Sequence, residues 1–129
     1  MTTETNYIWE VIMYKFIFNN DKNRIYIYIG GSLADSELEK YKNELIEMIN
    51  KTHTGFTVFA DSSKSSISFL ENSVKLQGAR DYGVTRGFKG VATVLSYEAF
   101  EIHQKKPFPG IKNVFTDVIE AEQFLDTLG

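Results

Sequence analysis

Residues 55–83, GFTVFADSSKSSISFLENSVKLQGARDYG, decide how the chain is read. Positions 56–61 form a short apolar run rich in aromatic and β-branched residues, the composition of a central strand. Asp61 then opens a polar passage containing Ser62, Ser63, Lys64, Ser65, Ser66 and Ser68. Ser68 followed by Glu71 reads as a capping box. Ile67, Leu70, Val74 and Gly78 recur at helical spacing, with Gly78 expected to let the helix approach the sheet and Gly83 to end it in a left-handed turn. A strand that passes to a helix through a polar loop is where open α/β sheets carry their working residues.

On the N-terminal side, YIWEVIMYKFIF at 7–18 and RIYIYI at 24–29 flank the turn-prone NNDKN, which predicts a hairpin with a longer loop. Alternation places Tyr14, Phe16 and Phe18 with Ile25, Ile27 and Ile29 toward the helices. Met13, Lys15, Ile17, Arg24, Tyr26 and Tyr28 fall on a face that tolerates water. Gly30 and Gly31 are expected to end the hairpin. Ser36 with Glu39 reads as another capping box, opening a helix whose apolar side is Leu38, Tyr41, Leu45, Met48 and Ile49.

On the C-terminal side, GVATVLS at 90–96 is nearly all apolar, as expected for a strand buried on both faces. A short helix over 97–105 is stopped before Pro107 and Pro109. A strand over 111–115 follows, then a helix opened by Asp117 and Glu120 and carried by Ile119, Ala121, Phe124, Leu125 and Leu128. The predicted order is β-β-α-β-α-β-α-β-α, a single α/β domain over 7–129 with an N-terminal antiparallel hairpin, after a polar segment 1–6 expected to fray.

The chain has 129 residues, 43% hydrophobic and 14% aromatic, enough for one packed core. It has no cysteine, which removes disulfides, thiolate zinc sites and cysteine nucleophiles. The net charge of −3 argues against general binding to nucleic-acid phosphates. With no leader and no apolar run near bilayer length, a cytoplasmic protein without a membrane span is expected. Charge is uneven. Acids dominate 35–47 and the last helix, whereas Arg80, Arg86, Lys89, Lys105, Lys106 and Lys112 give 80–112 a basic surplus.

The usual chemical motifs are missing. Gly30-Gly31 lacks the lysine and spacing of a phosphate loop. His53 and His103 have no partner at metal-ligand spacing. The serines lack the flanking glycines of a nucleophile elbow, and Asp61 is a lone carboxylate where acid-base chemistry wants a pair. Gly87-Phe88-Lys89-Gly90 precedes a strand instead of joining two helices, unlike a nucleic-acid GxxG loop. No catalytic residue, cofactor or metal is expected.

The GFTVFAD strand, the helix ending GARDYGV, the GVATVLS strand and the closing NVFTDVIEAEQFL together resemble STAS-type domains, the anti-sigma factor antagonist-like superfamily, and above all their bacterial STAS-like relatives. The resemblance covers nearly the whole chain and rests on packing motifs more than on chemistry. It implies a mixed sheet with helices mainly on one face. It also implies a phosphorylatable serine at Ser66 and a partner-docking surface around it. The sequence departs from the family pattern at Ser65, Ile67 and Ser68, and Ser65, Ser66 and Ser68 read first as caps and loop residues. The first expectation is a non-catalytic signalling module that docks another protein through Asp61–Ser68 and the following helix. The alternative is a small-ligand domain binding a nucleotide or an apolar, lipid-like molecule. A deep apolar cavity favours the ligand and a filled core with a flat exposed patch favours the partner. A homodimer through Tyr7, Ile8, Trp9, Val11 and Met13 is compatible with both.

Overall fold

The computed structural model describes residues 14–128. Five strands and five α-helices follow one another as β1 (Tyr14–Asn19), β2 (Arg24–Gly31), α1 (Asp35–Lys51), β3 (Thr57–Ser65), α2 (Ile67–Glu71), a 3₁₀ turn (Ser73–Leu76), α3 (Gln77–Thr85), β4 (Gly90–Val94), α4 (Tyr97–Lys105), β5 (Val114–Phe115) and α5 (Val118–Leu128). The strands lie in one sheet in the order β1-β2-β3-β4-β5. β1 and β2 are antiparallel, and all later pairs are parallel. The α/β class, the mixed sheet and the N-terminal hairpin expected from the sequence are therefore observed. The predicted edge strand over 7–13, the dimer through it and the frayed 1–6 lie outside the described residues.

The alternation of the hairpin sorts the two sheet faces. Ile25, Ile27 and Ile29 are buried on the first face, with Tyr14, Phe16 and Phe18 packed against them under α1. Leu38, Tyr41, Leu45 and Ile49 are the buried side of α1, as their spacing predicts. α3 joins this layer through Ala79, and α4 is anchored by Ala99 in a cluster with Leu70, Leu95 and Phe108. Among the described residues, the second face carries one helix, α5, seated by Ala121 and Leu125 on Phe59, Ala92 and Val94. Most helices thus lie on one face.

Several local readings change. Arg24 and Tyr26 were expected on a face open to water, but α5 covers them and leaves Arg24 only 4% exposed. Ile17 and Tyr28, farther from α5, do face solvent. Ile119 sits on the outer side of α5 at 63% exposure. Gly30 and Gly31 do not end the hairpin; they continue β2 past an irregularity in register and pair with Lys64 and Ser65. The cap of α1 is Ala34, whose N–H donates to Glu37 Oε1 at 3.1 Å, so Ser36 and Glu39 lie inside the helix. Asp117 does cap α5, accepting from the N–H groups of Ile119 and Glu120 at 3.4 Å. The last strand contracts from the predicted 111–115 to two residues, because Asn113 adopts φ +54 just before it.

Candidate functional site

The serine-rich passage is strand, not loop. Continued pairing with β2 extends β3 to Ser65, and the side chains of the passage divide between the sheet faces. Asp61 turns back on its own strand, its Oδ1 accepting from Ser63 N–H at 3.0 Å and Ser63 Oγ at 2.6 Å. Ser65 Oγ donates to the Ile29 carbonyl at 3.3 Å. Lys64 is exposed. Ser62 is buried and faces the helix layer with Val58 and Ala60.

Ser66 is the cap of α2: its Oγ accepts from Phe69 N–H at 3.0 Å and also meets Ser32 Oγ. The expected Ser68–Glu71 box is therefore displaced by two residues. Ser68 sits exposed in the first turn, and its carbonyl accepts from Asn72 Nδ2 at 2.8 Å. That side-chain bond competes with the helical ladder, and α2 ends at Glu71. The chain re-enters helix with a shifted phase. Ser73, Leu76 and Ala79 turn inward while Val74 is 57% exposed, contrary to the stripe read from the sequence. The glycine roles change as well. Gly78 has open space around it, whereas a Cβ at Gly83 would meet Phe56 at 3.5 Å and Ile49 at 3.7 Å. Gly83 is therefore the close-approach residue inside α3. The left-handed turn belongs to Gly87, with φ +88.

These shifts leave a void. Between the first sheet face and α1, α3 and the loop before β5 lies a cavity of about 290 Å³. Its floor is Ile27, Ile29, Val58, Ala60 and Val91, and its roof includes Leu45, Ile49 and Leu76. The polar groups on the wall are Tyr41, Ser62, Ser73, Gln77, Arg80, Thr93 and Lys112. Burial pushes the Tyr41 phenol well up and draws the Arg80 guanidinium down, with Tyr41 partly offsetting the latter. Arg80 Nη1 donates to the Ser73 carbonyl at 2.9 Å. Ser73 Oγ in turn donates to the Pro109 carbonyl, tying the loop before β5 to the 3₁₀ turn. Gly110, at φ +72, lies directly on the guanidinium, where any side chain would collide with it.

Of the candidate site residues Asp61–Ser68 expected from the sequence, the structure brings only Ser62 to this cavity. Tyr41, Arg80, Gly110 and Lys112 were missed as site residues. Arg80 carried a readable signal, since it falls on the inward side of the helix with Leu76, Ala79 and Gly83, at the i, i+3, i+4, i+7 spacing of an apolar face. The two histidines behave as isolated groups. His103 Nδ1 accepts from Phe108 N–H at 3.0 Å, and burial lowers its pKa. Among the described residues no three His, Cys, Asp or Glu side chains come together to hold a metal. No helix there is long and apolar enough to cross a membrane.

The second face holds a different polar cluster. Arg24 Nη1 lies within 3.0 Å of both Glu122 oxygens and 2.9 Å from Asp126 Oδ1, while its Nε donates to Thr57 Oγ1 at 2.8 Å. Tyr26 donates to the Glu122 carboxylate. Burial works against the Arg24 charge, but the hydrogen bonds and the acids outweigh it and raise the pKa. The bond from Arg24 lowers that of Asp126. Burial and the Glu122 bond push the Tyr26 phenol up to about 12. This cluster is closed on itself and fastens α5 to β2.

Fold and site together define an α/β domain with an internal, polar-edged cavity on its helix-rich face. Compared with models of known protein families and with curated proteins, the chain matches none.

Proposed function

We propose that the chain is a non-catalytic, STAS-like domain that binds a small, largely apolar molecule between its sheet and its helix layer. The observation that carries this reading is the void of about 290 Å³, floored by aliphatic sheet residues and edged by a few polar groups. Interiors normally pack without gaps larger than a water molecule, and ligand sites begin at roughly 300 Å³. Apolar walls suit an apolar guest better than a nucleotide, whose phosphates and ribose would lose water with few partners to replace it.

A fluorescent apolar probe such as N-phenyl-1-naphthylamine is expected to bind the folded protein with one saturable site. Ala60→Leu, which projects three more carbons from the floor, is expected to abolish that binding while the melting temperature holds or rises. Probe binding that survives Ala60→Leu unchanged would place the site elsewhere and sink the proposal.

Partner docking by the Asp61–Ser68 region is the second reading, favoured by exposed Lys64 and Ser68 and by the exposed apolar Val74 nearby. Capture of a specific protein that is lost on Ser66→Asp or on charge reversal at Lys64 and Lys75 supports it. Capture indifferent to all three removes it.

A further inference from the structure

Among the described residues, the cavity wall carries charge of one sign only. Arg80 and Lys112 line it, and no described aspartate or glutamate does. Lys112 is exposed at the rim, whereas Arg80 is half-buried on the inward side of α3. Every other buried cation seen here has its counter-ion: Arg24 sits against Glu122 and Asp126. Arg80 has no carboxylate within ion-pair distance among the described residues. Of its five N–H donors, the bond to the Ser73 carbonyl accounts for one. A half-buried guanidinium facing an apolar void is costly unless an anion joins it.

We infer that the cavity takes a small monocarboxylate with an apolar body, its carboxylate on Arg80 and its body over the aliphatic floor of the sheet. This rests on the ligand-binding reading above. The single inward cation among the described residues favours a monoanion, because a phosphate dianion would bring a second charge that the other described cation of the wall, Lys112 outside on the rim, meets in water. A guanidinium pairs with a carboxylate through two parallel N–H···O bonds, and these strengthen where water is excluded. The Tyr41 hydroxyl, on the same wall, is held protonated at neutral pH and is available as a further donor. Gly110 leaves space for the guanidinium between loop and helix, and the Ser73 carbonyl fixes its orientation, so the head-group site is set before the ligand arrives.

The test is calorimetric titration of the whole chain at pH 7.5 with decanoate and with decanol, which share a ten-carbon chain and differ in the head. Decanoate is expected to bind at least about tenfold tighter than decanol, the scale of one charge-assisted bond. Arg80→Met is expected to erase that preference while decanol binding stays within about twofold, and Arg80→Lys to restore part of it. Equal binding of the two by wild-type protein overturns the carboxylate assignment and leaves the cavity reading standing. Binding of neither, with no displacement of the apolar probe, overturns both. Because the wild-type ratio decides the matter, the test holds even if Arg80→Met fails to fold.

Discussion

The two faces of the sheet are built from the same five strands but solve the burial problem in opposite ways. On the second face one helix, α5, is seated on Phe59, Ala92 and Val94 with Ala121 and Leu125 fully buried, and its acids close on Arg24. On the first face, more helices cover the sheet and still leave about 290 Å³ unfilled. Contacts missing from the lining of a void are stabilisation forgone. The enclosed space lies where the helix layer is broken by Asn72 and the loop before β5, whereas the second face has an open groove beside α5 at Tyr26, Phe59, Val118 and Ile119.

The sharpest way to break this comparison is to cut equivalent leucines. Leu125→Ala, in the packed face, is expected to cost about 4–5 kcal/mol in urea denaturation. Leu45→Ala, in the cavity roof, is expected at the low end of the same scale, about 2–3 kcal/mol, because part of its surface already lacks neighbours. Equal losses would mean that the first face is as tightly packed as the second.

The ionic fastening of α5 can be sharpened next. Glu122→Ala removes the acceptor shared by Arg24 and Tyr26 and leaves the buried guanidinium with the Asp126 carboxylate and the neutral Thr57 hydroxyl, an expected loss of about 3 kcal/mol. Arg24→Met strands only carboxylates that water reaches and keeps the packed stem, so its loss should be clearly smaller. The reverse order in chemical denaturation would show that the guanidinium itself, and not its pairing, holds the helix.

Two glycines in and just after α3 predict smaller effects of opposite sign. Gly87→Ala meets φ +88 and a Thr54 methyl at 2.7 Å, so it should lose about 1–2 kcal/mol. Gly78→Ala, helical and unobstructed, should gain about 0.5–1 kcal/mol. If Gly78→Ala also destabilised, position 78 would not be an unobstructed helical site. The least effect is at His103. Its pKa is lowered in the folded state, so the unfolded chain binds the proton more readily. Its contribution is complete above the ordinary value of 6.5 and is lost as pH falls through the lower folded value. Melting temperatures taken from pH 7.5 down to 5 should fall slightly more for the native protein than for His103→Gln. Parallel curves would remove His103 from the acid response.

Much of the fold was legible because it rests on periodicity. The strands at 14–19 and 24–29 alternate, α1 repeats its apolar side four times, and residues 90–95 are nearly all apolar, so each element's type and buried side follow from local spacing. Capping was legible only where the side chain had no competitor. Asp117 caps as its position suggests, but Ser66 displaces Ser68 because pairing with Gly30 and Gly31 prolongs β3, a non-local fact. The site was mostly illegible. Its lining comes from β2, β3, β4 and the helix layer from α1 to α3 together with the loop before β5, and no spacing along the chain links Tyr41, Arg80 and Gly110.

By itself, then, the sequence determined an α/β chain with an antiparallel entry hairpin and amphipathic helices, because backbone geometry turns local apolar spacing directly into buried faces. Only the tertiary structure decided that Arg24 would be buried under α5, that Gly83 would pack against Phe56 while Gly87 makes the turn, and that Arg80 would border an apolar void with no acid among the described residues of its wall. Those outcomes depend on the phase lost at Asn72 and on strands that meet across long stretches of chain, and such distances carry no local signature.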